Sequence, residues 1–218
     1  MKKFAMVWVA AVAAFAGPLA HADELAGLGL TLLPGGAFIA IPANASDFLG
    51  PGPRSITSGI TWSSTADFSL FGYTGGYGID SHGQWSGVPM LALNAGAGTM
   101  TIAFATPVRG VGAFMNYAPG WGDVPTIAAY DASHQLLESY VLDYPVVANA
   151  QYDMNAGEVH GFLRTDADIA YFTLAGSGIV ATNLQVTPVP EPSTCALLLA
   201  GLGVVATVLR RRRGIAAR

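Results

Sequence analysis

Apolar and polar positions alternate in short runs along most of this chain. Residues 36–43 (GAFIAIPA) alternate, and so do residues 55–64 (SITSGITWSS), in which Ile56, Ile60 and Trp62 are spaced by even numbers. In residues 98–105, Met100, Ile102 and Phe104 share one face. Further runs occupy residues 108–117, after a Thr-Pro turn, and then 126–131, 136–143, 161–165, 169–176 and 179–187. In the last run Ile179, Ala181 and Asn183 fall on one face, and Val180, Thr182, Leu184 and Val186 on the other. A period of two marks strands with one buried face. Turn residues bound these runs at short intervals, which predicts an all-β sandwich or barrel. We expect a jelly-roll-like antiparallel β-sandwich over residues 23–187. Asp131-Ala132-Ser133-His134 reads as a hairpin turn capped by the Asp131 carboxylate. A short helix over residues 135–140 competes there, but Tyr130 and Tyr140 flanking the turn favour strands. Residues 71–89, rich in glycine, have no period and read as a long surface loop.

The two ends break the pattern. Met1-Lys2-Lys3 precedes an uncharged apolar stretch, then Gly17-Pro18, then Ala20-His21-Ala22. That is the layout of a secretory signal peptide over residues 1–22, with Asp23 the first mature residue. Near the other end, residues 195–209 are fifteen uncharged, mostly apolar residues. As a helix they cover roughly 22 Å at about 1.5 Å per residue, short of a hydrocarbon core of about 30 Å. Gly201 and Gly203 weaken that helix further. Arg210, Arg211, Arg212 and Arg213 follow, a cation block that stays on the cytoplasmic side.

Setting the ends aside changes the charge balance. Between Asp23 and Pro190 only Arg54, Arg109 and Arg164 are basic, against thirteen acidic residues, a net charge of −10. A lysine-free acidic body lacks the cations that phosphate binding requires, which argues against a nucleic-acid partner. The single cysteine, Cys195, lies in the tail, so the body has no disulfide and must hold together by its core alone.

The body carries no Gly-x-Ser-x-Gly elbow, Walker loop, His-Glu-x-x-His or cysteine pair. Asp80, Ser81 and His82 are adjacent in one loop, whereas triad members approach from separate elements. No catalytic residues and no cofactor are assigned, and no enzymatic activity is expected. His82, His134 and His160 share no ligand spacing. Asp166 and Asp168, near Glu158 and Asp153, offer oxygen ligands for a structural calcium ion, although solvated turn carboxylates explain them as well. Tyr117, Trp121 and Asp123 in residues 116–125 (NYAPGWGDVP) are the candidate carbohydrate contacts, with rings to pack on a sugar face and polar groups for its hydroxyls. The competing reading is that the aromatics fill the core.

Ahead of the C-terminal apolar run stand Pro190, Glu191 and Pro192, which must be extended. The sequence VPEPST of residues 189–194, the apolar run and the arginine cluster resemble, in order, the PEP-CTERM sorting signal of exported proteins in Gram-negative bacteria. The resemblance implies recognition of Pro190, Glu191 and Pro192 by a membrane protease-transpeptidase, exosortase. It divides the chain into a signal peptide (1–22), the sandwich (23–187), the sorting signal (188–213) and a cytoplasmic tip (214–218). The tail would sit in the inner membrane until processed, and the body would pass to the cell surface or an extracellular matrix of exopolysaccharide and biofilm. The body also looks like the β-sandwich passengers of such proteins. The Asp-Asp or Asp-Asn pair that many of them carry in the final strand is replaced here by Ala181-Thr182-Asn183. An exported polysaccharide-active hydrolase and a plain single-pass membrane protein are the alternatives.

Overall fold

The computed structural model describes residues 33, 35–45, 49–118, 120–142 and 154–187. The expected signal peptide, the sorting residues Pro190, Glu191 and Pro192, the apolar run, Arg210, Arg211, Arg212 and Arg213, and the tip lie outside the described residues, as does Asp153. Among the described residues no helix is long and apolar enough to cross a membrane.

Alternation becomes strands almost everywhere it was read. In chain order these are β1 (Ala37–Ile39), β2 (Arg54–Thr57), β3 (Ile60–Ser64), β4 (Leu70–Tyr73) and β5 (Tyr77–Gly78). After a 3₁₀ turn (Asp80–His82) come β6 (Gln84–Trp85), β7 (Met90–Ala92), β8 (Thr99–Val108) and β9 (Gly110–Asn116). The chain continues with β10 (Thr126–Tyr130), β11 (Leu136–Val141), β12 (Glu158–Leu163), β13 (Ile169–Ala175) and β14 (Val180–Thr187). The first sheet runs β12-β9-β14-β7-β4, with β1 also on β14, and the second runs β11-β10-β13-β8-β3-β2. All of their strand pairs are antiparallel.

One apolar core draws on both sheets, so the fold is sandwich-like. Met100, Ile102 and Phe104 of β8 enter it from the second sheet, and Val111, Ala113 and Met115 of β9 from the first. Aromatic pairs bridge the two layers. Trp62 lies 5.3 Å from Phe71, and Phe172 meets Phe162 edge-on at 6.2 Å. Such pairs add about 0.5–1.5 kcal/mol beyond the area they bury.

Four readings of the sequence are corrected. Residues 55–64 are a hairpin of β2 and β3, with Thr57 opposite Ile60. A two-residue loop exchanges parity across the turn, and the register shift between Ser55 and Thr57 restores it, so Ile56, Ile60 and Trp62 all reach the core. The Thr106-Pro107 pair does not end β8, which runs through it to Val108. The ladder with β13 is interrupted there, so the missing proline N–H breaks no regular pairing. In β14 the two faces exchange. Asn183 adopts a left-handed φ of 49°, and the register with β9 shifts between Thr182 and Gln185. This bulge puts Leu184 and Val186 on the same core side as Ala181.

The fourth correction concerns residues 71–89. This stretch folds over the outer face of the first sheet, carrying β5 and β6. Tyr77, Ile79 and Trp85 form a second apolar cluster with Leu70, Met90, Ala92, Ala118 and Val180. By contrast the 131–134 turn forms as read. The Asp131 carboxylate accepts hydrogen bonds from Ser133 N and Gln135 N, both at 2.8 Å, and β11 follows as a strand.

Phe172 is fully buried at the sheet–sheet contact. Phe172→Ala should cost about 3–5 kcal/mol of stability, measured by urea unfolding. A loss under about 1 kcal/mol would contradict the packing described here.

Candidate functional site

The loop from β9 to β10 carries the candidate carbohydrate contacts, and the structure separates them. Tyr117 is 2% exposed and packs on His82 with ring centroids 5.6 Å apart. The expectation that it joins Trp121 on an open face is therefore not met. Its position foretells this, because Val111, Ala113, Met115 and Tyr117 hold one parity and all lie in the core. Trp121 is 52% exposed and Asp123 is also exposed.

Backbone contacts hold this loop against its neighbours. Asp123 N donates to Gly96 O at 2.7 Å, while Asp123 O accepts from Ser177 N at 2.9 Å and Ser177 Oγ at 2.7 Å. A Cβ on Gly122 would collide with the Gly96 carbonyl. A Cβ on Gly178 would lie 3.1 Å from Cε3 and Cζ3 of Trp121, so the absence of a side chain lets the indole lie close to the backbone. The ring is thus supported from below.

Beside Trp121 lies a cleft of about 200 Å³, lined by Tyr77, Gly78, Asp80, Asn94, Ala118 and Trp121. The folded 71–89 segment makes one wall. It is anchored by Trp85 Nε1 donating to Ala156 O at 2.8 Å, and by Asn116 Nδ2 donating to both His82 O and Ala156 O at 3.0 Å. Tyr77 donates its hydroxyl proton to Gly178 O at 3.1 Å, and burial pushes its phenol far above the usual range. Asp80 is exposed, with a left-handed φ of 48°. An aromatic face beside a carboxylate and an amide can take a sugar ring, stacking on its C–H face and bonding its hydroxyls. In the sequence Asp80 stands out only as a member of a candidate triad, and Asn94 not at all. They are 14 residues apart, and only the folding of the intervening segment brings them to one cleft.

The other candidates disperse. Within the 3₁₀ turn Asp80 is exposed, while His82 is 4% exposed against Tyr117, so neighbours in sequence point to different environments. Asp168 is held bidentately by Arg164, with Nε–Oδ1 at 2.6 Å and Nη2–Oδ2 at 2.8 Å, and Arg164 Nη1 reaches Glu138 Oε1 at 2.5 Å. These bonds to Asp168 raise the Arg164 pKa above its ordinary value, burial opposing. Among the described residues no group of three or more His, Cys, Asp or Glu side chains could hold a metal ion.

His160 is 4% exposed, stacked on Tyr140 at 5.9 Å, with Nε2 3.5 Å from Glu158 Oε2. Burial lowers its pKa, against the opposing pull of Glu158. The pKa of His82 is lowered as well, mainly by burial. The unfolded chain, with histidine near about 6.5, therefore binds more protons than the native state. Their stabilisation is complete above that value and is lost as pH falls below it. Melting temperature should drop more steeply from pH 7 to pH 5 in the wild type than in His160→Gln. Parallel profiles in thermal scans would contradict the assignment.

A family model described as the PEP-CTERM protein-sorting motif matches residues 188–213. The chain thus carries this sorting signal directly after β14, which ends at Thr187. The motif implies an exported protein of a Gram-negative bacterium, processed by exosortase. No curated protein matches the chain.

Proposed function

We propose that this chain is an exported surface or extracellular-matrix protein whose jelly-roll-like sandwich is a non-catalytic, carbohydrate-binding body. The observation that carries the sorting half of this reading is the motif at residues 188–213. In it Pro190, Glu191 and Pro192 are the residues exosortase grips. The apolar run holds the tail in the inner membrane, and Arg210, Arg211, Arg212 and Arg213 keep its tip on the cytoplasmic side. Processing frees the body to the cell surface or to a matrix of exopolysaccharide.

The binding half is supported by Trp121, a large exposed ring on a firmly tied loop beside a cleft with Asp80 and Asn94. A half-exposed indole fixed beside a carboxylate and an amide offers a face on which a sugar ring can stack. Asp123, whose backbone braces the loop, adds an exposed carboxylate two residues along the chain from Trp121.

Intact-mass analysis of the mature protein tests the sorting reading. The wild-type chain should end well before Arg218, and Glu191→Ala should leave it uncut in the membrane fraction. A wild-type chain still ending at Arg218 would overturn the proposal. Binding on a glycan array should fall about tenfold, or roughly 1.4 kcal/mol, in Trp121→Ala. Hydrolysis of polysaccharide by the purified protein would overturn the non-catalytic assignment.

A further inference from the structure

The two sheets differ in what lies on their outer faces. On the first sheet Tyr77, Ile79 and Trp85 form an apolar cover. The second sheet has no such cover among the described residues, and its surface is built in an unusual way. Following the registers across five strands, one row reads Ser63, Thr101, Thr173, Ala128 and Ser139. The rows on either side of it are also free of charged residues. In one of these, Tyr171 stands directly opposite Tyr130, and His134 stacks on Tyr171 at 4.1 Å.

An exposed sheet face usually carries Lys and Glu for solubility and against edge pairing. Here the part-buried hydroxyls of Ser63, Thr101 and Thr173 and the exposed one of Ser139 take their place around a buried Ala128, in a body whose net charge between Asp23 and Pro190 is −10. Strand geometry sets these hydroxyls on a grid of about 4.8 Å across strands and about 6.8 Å along them. We propose that this open face of the second sheet is a docking platform for a neutral polysaccharide. An uncharged, hydroxyl-bearing grid matches a polymer with repeating hydroxyls and C–H faces. Each hydrogen bond is weak, and many made along one chain add up. The tyrosine pair supplies a stacking patch at one end. Charge decides among occupants. A second copy brings its own −10, and an acidic glycan is repelled by the body's net negative charge, whereas a neutral glycan meets no such opposition. This platform is distinct from the Trp121 cleft and independent of tail processing.

Affinity electrophoresis of the full chain, purified in detergent, tests it with hydroxyethyl cellulose, dextran and galactomannan as neutral probes and alginate as the charged control. At least one neutral probe should retard the wild type, and alginate should not. Thr173→Lys and Tyr130→Ala should each weaken that retardation at least tenfold, in the wild-type chain and in the Trp121→Ala background alike. Thr101→Lys replaces Thr173→Lys if the latter shifts the melting curve. The proposal is overturned if no neutral probe retards the wild type, if the face variants bind as the wild type does, or if Trp121→Ala alone abolishes retardation. Sedimentation showing a dimer that Thr173→Lys dissolves would assign the face to a second copy and overturn it too.

Discussion

Everything in this molecule rests on two sheets sharing one apolar layer without covalent help. The body has no cysteine, because Cys195 belongs to the tail. Cohesion comes from burial, which is worth roughly 25 cal/mol per Å² of apolar surface. Trp62 against Phe71 and Phe162 against Phe172 join the sheets at two places along that layer. The loops that carry chemistry are fixed only as firmly as the strands that hold them. Trp121 can stand half out of the surface because β9 and β10, on either side of its loop, are anchored in the shared layer by Met115 and Ile127.

How much was legible in the residues depends on distance along the chain. Period-two alternation marks nearly every main strand, and the parity of Val111, Ala113, Met115 and Tyr117 already contains the burial of Tyr117. Local devices are harder. A bulge at Asn183 swaps the faces of β14, since one residue in a left-handed conformation advances the chain without advancing the ladder. Nothing in Ala181-Thr182-Asn183 announces it beyond the tolerance of asparagine for positive φ. Long-range placement is least legible. Residues 71–89 show no period because they are held by separate anchors, Tyr77, Ile79 and Trp85, on an existing sheet. The cleft uniting Asp80, Asn94 and Trp121 follows from that packing.

The charge pattern has two parts that composition alone blurs. Arg164 bonds both Asp168 and Glu138 where β11, β12 and β13 come together, so one of the body's three cations serves internal order. Of the other described acids Asp67, Asp80, Asp123 and Asp166 are exposed, yet the outer rows of the second sheet contain none. Segregating charge in this way separates solubility from contact. The acidic surroundings keep the body dispersed, and the neutral face stays free of the repulsion that dispersal relies on.

The antiparallel pairing of β1 with β14, with Ala37 opposite Val186, has a mechanical meaning. β14 lies inside the first sheet, with β9 on one flank and β7 and β1 on the other, and its last residue is clamped by Arg109 N on Thr187 O at 3.0 Å. Tension applied through the tail therefore pulls β14 lengthwise against neighbours on both sides. Its ladder bonds are loaded together in shear and cannot be unzipped one at a time. A body hung by this strand bears traction on two seams at once.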